Sequence, residues 1–146
     1  MSGAQELYQQ AIKSLAQGAT GEGRLDAPDG AALLDNPLCG DRVEMQVKLA
    51  DGRIAALAHQ VRGCLLCRAA ASAIGARARG AKLDDIERVS AQLNEMLERE
   101  GPAPEGWSEL AAFAPVHGHR SRYGCVLLPF KALTAAMRQA DSDTPK

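Results

Sequence analysis

Residues 42–49 read Arg42-Val43-Glu44-Met45-Gln46-Val47-Lys48-Leu49, with Val43, Met45, Val47 and Leu49 apolar and the four residues between them polar. Strict alternation places one set on each side of a pleated backbone, so the segment is a half-buried strand. Ala50 leads into Asp51-Gly52, a pair suited to two consecutive positive φ values and hence to a tight hairpin turn. The returning strand is expected over residues 53–62. Strict alternation there groups Leu57 and Val61 with Ala55 and His59 and puts Ile54 on the opposite side. The hairpin delivers the chain to Gly63-Cys64.

Beyond Cys64 the composition turns Ala-rich, and the spacing predicts a helix over residues 64–79 with Gly80 as its stop. Cys64 then lies at a helix N-terminus, where unpaired N–H groups and the helix dipole favour a thiolate, a better metal ligand and sulfur acceptor than the thiol. Upstream of the hairpin stands Asn36-Pro37-Leu38-Cys39-Gly40-Asp41. The residue before a proline is driven away from helical angles, so residues 31–34 are expected to be extended and to run into a turn that carries Cys39. Residues 18–30 hold four glycines and a proline and form a turn-rich connection. Leu7, Ala11, Ile12 and Leu15 predict an amphipathic helix over residues 3–17.

Towards the C-terminus, Ile86, Val89, Leu93, Met96 and Leu97 make one stripe of a helix over residues 83–99, with Asp84, Asp85 and Glu87 in its first turn. Gly101-Pro102-Ala103-Pro104-Glu105-Gly106 breaks the pattern. A short helix anchored by Trp107 and Phe113 follows, and then a loop from His117-Gly118-His119 to Gly124. Cys125 opens the last helix, where Leu128, Ala132, Ala135 and Ala136 recur at helical spacing and Pro129 is placed in the first turn. The tail after Ala140 is expected to fray.

The chain of 146 residues suits one domain spanning residues 1–146. Apolar residues make up 46% of it, with only two Phe, two Tyr and one Trp, so Ala and Leu must fill the core. Seventeen basic and eighteen acidic side chains give a formal net charge of -1, which does not suggest binding to nucleic acid or to an anionic membrane. The first twenty residues lack the basic segment and apolar stretch of an export signal, and no run approaches a membrane span. A bacterial-type cytoplasmic protein is expected.

Cys39, Cys64 and Cys125 occur in three small-residue contexts, and with Asp41 they make a donor set suited to zinc: three thiolates and a carboxylate in a tetrahedron. Such a set has a formal charge of -4, so a divalent ion leaves it anionic, and the lone carboxylate is its most exchangeable member. That favours a transfer site over a structural one. The spacings do not match a zinc finger or ribbon, which need two close pairs. Other readings stand beside this one. The three cysteines are otherwise unrelated buried thiols, and Asp41 a turn cap. Cys64-x-x-Cys67 is otherwise a redox dithiol.

Asn36-Pro37-Leu38-Cys39-Gly40-Asp41, the strand pair, Gly63-Cys64 before an Ala/Ser helix, and Arg122-x-x-Cys125 together resemble the U-type iron–sulfur cluster scaffold proteins, the NifU-like N-terminal domains. The resemblance covers about residues 5–140. The 61-residue interval from Cys64 to Cys125 is similar to that of the zinc-binding SufU-type branch, which accepts sulfur from a cysteine desulfurase. The resemblance implies an α+β NifU/SufE-like fold, a small, mostly antiparallel three-stranded sheet covered by helices. It also implies Cys39, Asp41, Cys64 and Cys125 as metal ligands, Cys39 as the sulfur acceptor once it leaves the zinc, and Arg122 as a residue behind the ligands. The implied partners are a cysteine desulfurase and apo iron–sulfur acceptor proteins. The same thiolates holding a labile [2Fe-2S] cluster, with iron in place of zinc, is the alternative.

The sequence departs from the cluster-building branch at two places: Gly124 stands where that branch has His, and its proline-rich chaperone motif is missing. Cys67, where a small residue such as Ser is expected, is a spare ligand, a resolving thiol or a packed small side chain. His117 and His119 are alternative ligands or solvated loop residues. His59 is packed or exposed, and Arg122 is otherwise a loop cation.

Overall fold

The computed structural model describes residues 2–38 and 40–143, with side chains over 10–38 and 40–140. The elements run α1 (Ser2–Gly18), β1 (Gly30–Asn36), β2 (Asp41–Ala50), β3 (Arg53–Arg62), α2 (Leu65–Arg77), α3 (Leu83–Arg99), two 3-10 helices (Ser108–Gly118 and Arg120–Arg122) and α4 (Tyr123–Asp143). The sheet has order β1-β2-β3 and is antiparallel throughout. Val43, Met45 and Val47 are fully buried. They lie on the strand that α4 packs against, while α2 packs against β3. Asp51 and Gly52 have φ of 54° and 76°, as the Asp-Gly turn requires.

The register explains the one misjudged face. Lys48 pairs with Ala56 but Leu49 with Ile54, so Ala55 is an extra residue bulging out of the ladder. The bulge shifts the alternation by one. Ile54, expected opposite Leu57, is therefore buried with it, and Ala55 is exposed. The other side of β2 is less open than alternation suggests. Residues 19–29 cross it, with the Leu25 N–H donating to Gln46 Oε1 at 2.8 Å and Arg24 lying 3.6 Å from Glu44, so Gln46 is buried.

The helices follow their patterns with shifts at the ends. The five stripe residues of α3 are all buried, and Asp85 Oδ2 accepts the Lys82 N–H at 2.9 Å to cap its start. α2 stops at Arg77 with Ala78 as its cap, short of the expected residue 79. The short helix expected after Trp107 is a 3-10 helix that extends to Gly118, and a second 3-10 turn replaces most of the expected loop. Trp107, Leu110, Phe113 and Val116 are all buried, a spacing of three that matches three residues per turn. α4 starts at Tyr123, two residues before Cys125, which puts Pro129 in its second turn rather than its first. It reaches Asp143, beyond the expected end at Ala140. Residues 144–146, part of the tail expected to fray, lie outside the described residues.

His59 on β3 is 4% exposed. Its Nε2 lies 2.8 Å from the Thr20 carbonyl and so carries the proton, while its Nδ1 is buried with no partner among the described residues. Burial therefore holds the imidazole pKa below its ordinary value, against the opposing influence of the Thr20 carbonyl and the Glu22 charge. Below about pH 6.5 the unfolded chain takes up a proton at this residue that the folded chain refuses, so stability falls as pH falls. The urea midpoint should drop between pH 7 and pH 5 by more in the wild type than in His59→Gln, measured by circular dichroism.

Candidate metal centre

Asp41 is the first residue of β2 and is 1% exposed. Its Oδ1 accepts the Cys64 N–H at 2.8 Å, and Cys64 Sγ lies 3.4 Å from Oδ2. A carboxylate loses much of its hydration at such a position and needs donors in exchange; the orphan amide at the start of α2 is one of them. The register brings these groups together. Arg42 pairs with Arg62, so Asp41 lies level with Gly63. A Cβ at position 63 would sit 2.4 Å from Asp41 Oδ1, and only glycine leaves the carboxylate its place.

Cys64 is the N-cap residue of α2, with φ -72° and ψ 169°, and is half-buried. Cys125 comes from the first turn of α4 and is fully buried. One donor atom from each of Asp41, Cys64 and Cys125 lies within 4.8 Å of the others. A tetrahedral zinc with Zn–S bonds near 2.3 Å holds its sulfurs about 3.8 Å apart, so the triad is close to ligand spacing. Two soft thiol donors and one hard carboxylate suit zinc or iron. Cys39 lies outside the described residues; in the sequence it stands three residues after Asn36 and two before Asp41.

The other candidates are distributed elsewhere. Cys67 is fully buried within the core, in keeping with its reading as a packed small side chain. His117 is tied to the end of α3: Nδ1 lies 2.6 Å from the Leu97 carbonyl and Nε2 3.8 Å from Glu100, and Tyr123 donates to the His117 carbonyl at 2.6 Å. His119 is exposed between the two 3-10 helices, and Arg122 is exposed at the end of the second. Sequence reasoning passed over Asn36. Its Oδ1 accepts the Leu38 N–H at 3.1 Å and its carbonyl accepts the Gly40 N–H at 2.8 Å; the Asn-Pro dipeptide is the signal for such a turn.

Gly63→Ala tests the centre directly. The added methyl must push Asp41 aside, at a cost of about 1–3 kcal/mol for overpacking. The apo protein should unfold at lower temperature in calorimetry, and zinc added to it should be held less tightly against a competing chelator than zinc added to the wild type.

The family model for the NifU-like N terminal domain matches residues 7–115, a stretch that contains Cys39, Asp41 and Cys64 but not Cys125. A curated relative, the iron–sulfur cluster assembly scaffold protein IscU of Streptococcus pyogenes, is 28% identical over 119 residues, 81% of this chain and 74% of its own length. The crystal structure of a nitrogen-fixing NifU-like protein, N-terminal part, from Brucella abortus superposes with a TM-score of 0.88 at 31% identity, covering 94% of this chain and 96% of that one. The FiSufU protein of Fervidobacterium islandicum shares the fold with a TM-score of 0.80 at 19% identity over 90% of this chain and 97% of its own. The antiparallel three-stranded sheet with its helical cover is thus the fold of these relatives, and the chain belongs to the family of NifU-like N-terminal domains.

Proposed function

We propose that this protein serves iron–sulfur cluster assembly, binding a metal through Cys39, Asp41, Cys64 and Cys125 and accepting sulfur on Cys39 from a cysteine desulfurase, as in the SufU-type branch. The observation that carries the reading is the convergence of Asp41, Cys64 and Cys125 within 4.8 Å from three distant parts of the chain. Family membership and the scaffold named among its relatives support it. A bound zinc would supply a thiolate-stabilising positive charge with little geometric preference.

The chain's own residues divide the work. Asp41, held by the Cys64 amide, presents its carboxylate as the exchangeable donor. Cys64 and Cys125 are the anchored thiolates at two helix starts. Cys39, whose neighbours Leu38 and Gly40 are exposed, is the thiol this reading assigns to the partner. Its thiolate attacks the terminal sulfur of the desulfurase persulfide, a new S–S bond forms on Cys39, and the desulfurase thiolate leaves with the electrons of the broken bond. Arg122, exposed beside α4, belongs in this reading behind the ligands. A reducing cytoplasm and apo iron–sulfur acceptors as onward partners complete it.

A second reading uses the same thiolates to build a [2Fe-2S] cluster for transfer, with the carboxylate making it labile because such clusters usually take four thiolates. The name of the Streptococcus relative favours this reading. A dithiol oxidoreductase built on Cys64 and Cys67 has less support, since a resolving thiol must be reachable and Cys67 is fully buried.

Native mass spectrometry of the purified protein, before and after anaerobic incubation with a cysteine desulfurase and free cysteine, separates the first two. One zinc at the start and one added sulfur on Cys39, both uptake and persulfide vanishing in Cys39→Ala while the fold persists, is the expected outcome. Sulfur uptake that survives in Cys39→Ala would sink the acceptor assignment. Iron at the start with no persulfide gained would favour the cluster scaffold.

A further inference from the structure

Asn36, the last residue of β1, lies opposite Asp41 in the register, and it holds the backbone on both sides of position 39. Its side-chain Oδ1 accepts the Leu38 N–H at 3.1 Å, and its carbonyl accepts the Gly40 N–H at 2.8 Å. Burial does little to fix this turn, because Pro37, Leu38 and Gly40 are all exposed, Leu38 to 93%. The other end of the same carboxamide reaches a different element. A Cβ at position 124, in the first turn of α4 and adjacent to Cys125, would sit 2.8 Å from Asn36 Nδ2. Turning the carboxamide away from such a Cβ takes Oδ1 off the Leu38 N–H. A side chain at 124 therefore presses on the carboxamide that bonds the turn.

We propose that Asn36 is a positioning residue that couples the turn carrying Cys39 to the first turn of α4, and that the absence of a side chain at position 124 is what permits the coupling. The inference rests on the metal-binding reading above and deepens it. The residues flanking the first cysteine of the donor set and the residue before the last, whose cysteines are 86 positions apart in the sequence, meet at one carboxamide. Gly124 is accordingly a requirement of the Asn36 contact.

The test is cobalt(II) binding by the wild type, Asn36→Ala, Gly124→Ala and the double variant. Bound cobalt is read from its visible spectrum and from the thiolate-to-cobalt charge-transfer band, whose intensity reports how many thiolates are bound. Each single variant should lose cobalt to a chelator about tenfold more readily, the range seen when groups that orient metal ligands are removed, and should lose one thiolate's share of the band. The double variant should be no worse than Asn36→Ala, because the methyl at 124 then meets vacated space. Alanine is intrinsically better than glycine in a helix, so apo Gly124→Ala should unfold at the same temperature as the wild type or higher. Wild-type binding with variants that match it would overturn the inference alone. So would losses that add in the double variant, or a lowered unfolding temperature in Gly124→Ala that parallels its cobalt loss. A wild type that takes up no cobalt would overturn the metal-binding reading and this inference with it.

Discussion

The buried carboxylate of Asp41 is the constraint around which the centre is arranged. It stands where β2 begins, accepts the amide that begins α2, and lies against a position that only glycine can occupy. Truncating Asp41 would leave the Cys64 N–H without this acceptor, a penalty of about 1–3 kcal/mol. The β2–β3 register enforces the arrangement, since a slip of one residue would turn Asp41 to the other side of the sheet along with Val43, Met45 and Val47. The core residues and the candidate donor therefore share one alternation, and packing the sheet against α4 and α2 carries Asp41 to Cys64.

Much of this was legible in the sequence where one periodicity acts alone. The alternation of β2, the Asp51-Gly52 turn and the α3 stripe each gave an element close to the one observed. Errors arose where a second effect intervened. The bulge at Ala55 reversed the face of Ile54, and nothing in residues 53–62 marks it, because Ala55 and Ala56 suit either side of a sheet. The stripe Trp107, Leu110, Phe113 and Val116 has a period of three, which is a readable signature of a 3-10 helix obscured by expecting 3.6. The burial of Gln46 depends on residues 19–29 crossing the sheet, a tertiary fact with no local signal. For the centre, the donor residue types and the helix-start position of Cys64 were readable. The role of Asn36 was not, because it depends on a contact with Gly124 across 88 positions of sequence.

The environment of the centre is graded. Cys125 and Asp41 are buried, Cys64 is half-buried, and the turn that contains Cys39 is flanked by exposed residues. In the proposed reading, the exposed flanks of Cys39 would form the side of the site open to a partner. Cys64 and Cys125 sit at the starts of two helices packed on each other, so they share the rigidity of the core, while Leu38 and Gly40 are held by hydrogen bonds to Asn36.

The placement of Cys125 on the last helix bears on events during synthesis. Asp41 and Cys64 emerge from the ribosome early, but Cys125 follows 61 residues after Cys64. At the usual pace of about 5–20 residues per second, the nascent chain spends several seconds with an incomplete donor set. The last candidate donor joins Asp41 and Cys64 only when α4 docks on β1 and β2. Under the proposed metal-binding reading, the full donor set would arrive together with the helix that completes the core.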